Sequence, residues 1–188
     1  MDIISAIAKE VEAVCRNKNN NFGFGVWSHH IMSVVEYSKL LAIELGADQE
    51  ITQLAALLHD YAGIKDYNLY KDHHIHSANE AEKLLEAYHY PEDRIALVKQ
   101  CIFTHRGSVP IEKLSIEAIC VADADAIAHI ENVPSLLYLA YHHKNMSIEE
   151  GMLWVSDKIE RSYNKLSNHG REIIEHKYNN SKRLLNIA

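Results

Sequence analysis

The chain has 188 residues, 47% apolar and 24% charged, and a formal net charge of −7 with its 13 histidines neutral. This length favours one domain that buries most of its unfolded surface without a disulfide staple, and the composition excludes a globally disordered chain. Three scattered cysteines, Cys15, Cys101 and Cys120, form no CxxC pair, which excludes a disulfide framework and a thiolate zinc site.

Met1 to Val14 alternates apolar and acidic residues at helical spacing and carries no signal-peptide pattern. No apolar run approaches the ~18 residues of a membrane span. The expectation is a soluble, cytoplasmic protein with no membrane partner. Basic residues are dispersed, with one dense group at Lys177, Lys182 and Arg183, so nucleic acid is disfavoured as the main partner.

Seven glycines and three prolines fall mostly where helices start or stop, which is the punctuation of an all-α chain. The first helix is predicted over Asp2 to Arg16, with Ile3, Ile4, Ile7, Val11 and Val14 on one stripe. A loop follows to Gly25, then a helix over Ser28 to Leu45 that stops at Gly46. Asp48 suits the N-cap of a third helix, Gln49 to His59, with Gly63 at its exit.

Tyr67 to His76 is polar and His-rich and reads as a loop. Helices are predicted over Ser77 to Tyr88 and from Pro91, at the first helical position, to Thr104. The next spans Ile111 to Ile130, and Pro134 opens another to His143. Ser147 and Glu150 form a capping box for the helix through Trp154 and Ile159. Gly170 breaks that helix, and the last carries Ile173, Ile174, Leu184 and Leu185. No segment alternates as a strand, and no repeat is present.

The chemistry centres on Leu57-Leu58-His59-Asp60, at the end of an apolar helix. A buried carboxylate at such a point needs a cation, an ion pair or a dense set of hydrogen bonds. His30 lies near the start of the second helix, His76 at the start of the fourth, and His105 at the end of the fifth. Asp125 lies within Val121-Ala122-Asp123-Ala124-Asp125-Ala126-Ile127, where an acidic residue has low helix propensity. The donors are nitrogen and oxygen only, a set suited to Fe, Mn, Zn, Co, Ni or Mg.

These motifs resemble the HD-domain metal-dependent phosphohydrolases, in the order His30, His59-Asp60, Asp125, over roughly Trp27 to Ile130. His76, with Ser77-Ala78, and His105, with Arg106-Gly107-Ser108, resemble the two extra histidines of a two-metal subset. The Gly-Tyr-Pro signature of the cyclic-di-GMP subfamily does not follow His105. The resemblance implies a single compact HD-type domain over residues 1–188, with its core at 27–130 and helices 134–188 packing on it or forming a lid.

It also implies one or two divalent metal ions. The first would be held by His30, His59, Asp60 and Asp125, and the second by His76 and His105 with Asp60 bridging. Asp60 is then catalytic. Asp123 competes with Asp125 for the ligand role and is otherwise a base candidate. Lys65, Arg106 and Lys71 are candidate phosphate contacts, Lys65 also a catalytic one, and His73 and His74 would line the entrance.

The implied activity is phosphomonoester or phosphodiester hydrolysis of a small phosphorylated metabolite or nucleotide. The alternatives are an HD-type di-iron oxygenase and a non-catalytic nucleotide-binding regulatory domain.

Overall fold

The computed structural model describes residues 2–106 and 111–185. Among these the regular structure is entirely helical, in the order α1 (Ile3–Cys15), α2 (Met32–Leu45), α3 (Gln49–Leu58), α4 (Tyr61–Lys65), α5 (His73–Ala87), α6 (Glu92–Thr104), α7 (Ile116–Glu131), α8 (Val133–Tyr138), α9 (Ile148–Lys165) and α10 (Asn168–Leu185). A π-turn at Trp27–Ile31 leads into α2, a 3-10 turn at Tyr67–Asp72 leads into α5, and a second π-turn at Leu139–His143 follows α8. No described helix is long and apolar enough to cross a membrane.

The caps follow the sequence. Asp2 accepts from the Ser5 amide, and Asp48 accepts from the amides of Glu50 and Ile51. Gly46 closes α2 in the left-handed conformation at φ 72°. The Ser147 hydroxyl accepts from the Glu150 amide at 3.2 Å, and the Glu150 carboxylate accepts from the Ser147 amide at 2.9 Å.

α7 is the centre of the fold. Its alanines 122, 124, 126 and 128 are buried on every face, and α2, α3, α6, α9 and α10 pack around it. A helix apolar all round belongs in a core, and small side chains let its neighbours approach closely. Asp123 and Asp125 are carried into that interior.

Five boundaries depart from expectation, one of them Gly63, which lies inside α4 rather than at the exit of α3. Tyr67 to His76 is helical, because Tyr67 and Tyr70 stack at 5.4 Å and both rest against Phe22. α7 begins at Ile116, with Ser115 as its cap, rather than at Ile111; residues 107–110 lie outside the described residues. Pro91 is the cap of α6 rather than its first helical residue. The break between α9 and α10 falls at Leu166, not at Gly170.

Gly170 lies inside α10, where a Cβ would meet an Asp123 carboxylate oxygen at 2.6 Å. That close approach, and not a turn, requires the glycine.

Candidate metal centre

Four helix ends and the middle of α7 meet at one point. His30 sits on the π-turn before α2, a local widening of the helix that often marks functional positions. His59 and Asp60 form the corner between α3 and α4, with the Asp60 backbone at φ −107°, ψ 3°. His73 opens α5, His105 ends α6, and Asp125 lies mid-way along α7.

The donors converge in two groups that share Asp60. His30 Nε2 is 3.1 Å from His59 Nε2, 3.3 Å from Asp60 Oδ2 and 3.7 Å from Asp125 Oδ1. His59 Nε2 is 3.4 Å from Asp60 Oδ2 and 4.0 Å from Asp125 Oδ1. On the other side, His73 Nε2 is 3.2 Å from Asp60 Oδ1 and 3.2 Å from His105 Nε2. Asp60 Oδ2 therefore faces His30 and His59, while Oδ1 faces His73, which in turn meets His105.

Three of the rings are oriented in one way. His59 Nδ1 donates to the Ala56 carbonyl at 2.7 Å, His73 Nδ1 to Tyr70 at 2.8 Å, and His105 Nδ1 to Ile102 at 2.5 Å. Each donates to the carbonyl three residues before it, which fixes the tautomer and turns the Nε2 lone pair inward. The Nε2 atoms of His73 and His105 then face each other at 3.2 Å, a spacing that either a proton on one ring or a divalent cation between them satisfies. A divalent cation there would accept both nitrogens, and the all-N,O donor set suits one. The residues present thus fit one or two metal ions.

The electrostatics point the same way. Burial pushes the His105 imidazolium down to about 3, so the ring is neutral. Burial would also lower His59, but the carboxylates of Asp60 and Asp125 outweigh it and push the ring up to about 9. Burial works against ionising Asp60 and Asp125 as well. His59 more than offsets it for Asp60, and Lys165 for Asp125, and both stay well below the usual carboxylate range. Asp125 is buried and Asp60 partly so, and a divalent cation at the centre would balance both, as His59 and Lys165 do here.

Several residues lie elsewhere than the sequence suggested. His73, not His76, meets Asp60 and His105. α5 starts at His73, and His76 falls one turn, about 4.5 Å, further along it. Asp123 does not face the centre. Two residues along a helix is about 200° of rotation, so it points away from Asp125. It accepts instead from the Ser167 amide at 3.0 Å and from the Ser167 hydroxyl, tying the start of α10 to α7. The Lys65 ammonium lies 2.7 Å from Glu80 on the outer face of the domain. Arg106 donates to the Lys71 carbonyl at 2.5 Å, and the buried His74 ring lies 3.4 Å from it.

Other residues at the site carried no motif. His129, one turn after Asp125, stacks on His30 at 4.9 Å. Burial, and then Lys158, hold its imidazolium well below the usual range. Lys165 pairs with Asp125 Oδ2 at 2.7 Å. Helical spacing was the one available signal: His129 is i+4 from Asp125, and Lys158 and Lys165 are seven apart on α9.

Two cavities open on the centre. One, of about 640 Å³, is walled by Phe22, Val26, Leu136, Tyr138 and Leu139. The other, of about 420 Å³, is lined by Lys71, Arg106, Lys158, Arg161 and Lys165. Asp60, Tyr70, His129 and Lys158 border both.

The sequence matches the HD domain family over residues 27–130, a span that contains all six converging donors. The chain belongs to the HD-domain family. Members of this family are typically metal-dependent phosphohydrolases.

The HD-domain chain is 31% identical over 153 residues to Ribonuclease Y of Clostridium botulinum (strain Hall), covering 81% of this chain and 27% of that protein. It is 34% identical over 99 residues to Ribonuclease Y of Clostridium novyi, covering 53% of this chain and 18% of that protein. It therefore spans between about a fifth and a quarter of the length of these relatives.

Among solved structures, a Lactobacillus plantarum protein superposes with a TM-score of 0.74 at 18% identity, over 97% of this chain and 92% of that one. Bacillus subtilis YpgQ in complex with ADP superposes with a TM-score of 0.64 at 18% identity, over 92% and 90%. These likenesses establish the shared HD-domain fold.

Proposed function

We propose that this HD-domain chain is a metal-dependent phosphohydrolase acting on a small phosphorylated metabolite or nucleotide. The observation that carries the reading is the position of Asp60, with Oδ2 toward His30 and His59 and Oδ1 toward His73, at the junction of a cationic and an apolar cavity. A divalent ion bound there supplies Lewis acidity and lowers the pKa of water at the site from about 15.7 to near 7.

The chain's own residues do the rest. Asp60 and Asp125 supply the anionic donors, and His129, neutral and stacked on His30, fixes the plane of that ring. The cationic cavity attracts the phosphoryl group in spite of the negative overall charge, because local charge dominates at short range. The apolar cavity accommodates the uncharged part of the substrate. The ribonuclease name of the curated relatives and the ADP bound to Bacillus subtilis YpgQ support a nucleotide in that role.

The test is hydrolysis of phosphomonoesters, phosphodiesters, mononucleotides and short RNA with added Mn, Fe, Co, Ni, Zn or Mg. Turnover should need a divalent ion and fall at least a thousandfold in Asp60→Asn and His59→Ala. Turnover that survives either substitution overturns the reading. Oxygen consumption by iron-loaded protein without phosphate release would place the site with the oxygenases instead.

A further inference from the structure

α9 presents Lys158, Arg161 and Lys165 to the cationic cavity. Positions three and seven apart share one helix face. Lys158 and Lys165, both partly buried, differ in their partners. Lys165 is neutralised by Asp125 at 2.7 Å. Lys158 is partly buried and has no hydrogen-bond or ion-pair partner among the described residues. It borders both cavities, where they meet beside Asp60.

An ammonium partly withdrawn from water without a partner carries a cost, smaller than that of full burial. Burial, together with Lys165 and Arg161, presses the Lys158 pKa down against the pull of Asp125 and Asp60. Packing does not account for this cost, since an apolar side chain of equal length would fill the same space without it. Groups that cost stability and face a reaction centre are often retained for function. Of the other cations lining this cavity, Lys165 is paired with Asp125 and Arg106 with the Lys71 carbonyl and Asp72, while Lys71 and Arg161 are exposed to solvent; among the described residues that line it, Lys158 alone is both unpaired and partly buried.

We propose that Lys158 is a substrate-binding residue that takes a non-bridging oxygen of a phosphoryl group seated in the cationic cavity beside the metal centre. This rests on the phosphohydrolase reading above. A lysine supplies a compact point charge there, able to follow the oxygen as charge builds on it. Its position between the cavities directs the phosphoryl group toward Arg161 and Lys165 and the uncharged remainder toward Phe22 and Tyr138.

The experiment compares the full chain with Lys158→Met, Lys158→Gln and Lys158→Arg, all loaded with Mn. Bound metal, melting temperature and affinity for inorganic phosphate are measured for each. Lys158→Met and Lys158→Gln should keep the wild-type metal content and melt at the same or a higher temperature. They should bind phosphate at least tenfold more weakly, as expected for the loss of a charge-assisted hydrogen bond. Lys158→Arg should recover most of that affinity.

Unchanged phosphate affinity in Lys158→Met and Lys158→Gln, with a loss in Asp60→Asn, overturns the role of Lys158 alone. Lower melting temperatures and metal content in both neutral variants would make it a structural residue and overturn the role equally. Absence of phosphate binding by the metal-loaded wild-type chain overturns the phosphohydrolase reading together with this one.

Discussion

The Lys165 ammonium lies 2.7 Å from Asp125 Oδ2, while Asp125 Oδ1 faces His30 and His59. One oxygen is held by a helix 40 residues further along the chain, which leaves the other aimed at the centre. α9 therefore orients a carboxylate that α7 carries. Outer partners of this kind typically contribute 10–100-fold in metal affinity. Lys165→Met should weaken Mn binding by about tenfold or more, with Lys165→Arg close to wild type, in a calorimetric titration. Equal affinities in all three proteins would separate Lys165 from the centre.

Asp123 and Asp125 should part company on mutation. Asp123→Ala removes the acceptor for Ser167 and should cost about 1–3 kcal/mol in urea unfolding while metal content is retained. Gly170→Ala, which drives a methyl against the same carboxylate, should cost a similar ~1–3 kcal/mol. Asp125→Ala should lose metal. Metal loss in Asp123→Ala would reverse the assignment of the two residues.

His73 and His76 give a second contrast. His73→Ala should lower Mn stoichiometry or affinity on the His105 side of Asp60, whereas His76→Ala should leave both unchanged. Metal analysis and Mn electron paramagnetic resonance read the difference. A loss confined to His76→Ala would restore the register expected from the sequence.

The three thiols should be inert. Burial pushes Cys15, Cys101 and Cys120 up to about 12. A raised thiol pKa means the thiolate appears only as pH approaches that value. At pH 8 the thiolate fraction is roughly 10⁻⁴, and the sulfurs are also inaccessible. A colorimetric thiol reagent at pH 8 should find none in the folded chain and all three in urea. Fast reaction of any one in the folded chain would contradict its burial.

What could be read from the sequence was local. The caps at Asp48 and Ser147, the left-handed stop at Gly46 and the apolar stripes are short-range signals, and the helices follow them. His30, His59, Asp60, His105 and Asp125 converge because each sits at a helix end or inside the buried α7. The register of α5 was not legible. Its start at His73 depends on Phe22 stacking against Tyr67 and Tyr70, a contact across more than 40 residues that no local pattern records.

The same holds for the basic side of the site. Lys158 and Lys165 look like ordinary surface cations until α9 is laid against α7. Asp123 and Asp125 look interchangeable until helix rotation and Ser167 separate them.

The central claim is that imidazoles and carboxylates from the π-turn, the α3–α4 corner, α5, α6 and α7 share one or two divalent ions. Anomalous diffraction at the Mn edge, from crystals of the Mn-loaded chain, tests it most directly. The account predicts one peak among His30, His59, Asp60 and Asp125, and any second peak between His73 and His105 on the far side of Asp60. Crystals rich in Mn that show no peak at either place, with His59 turned away from Asp125, would contradict it.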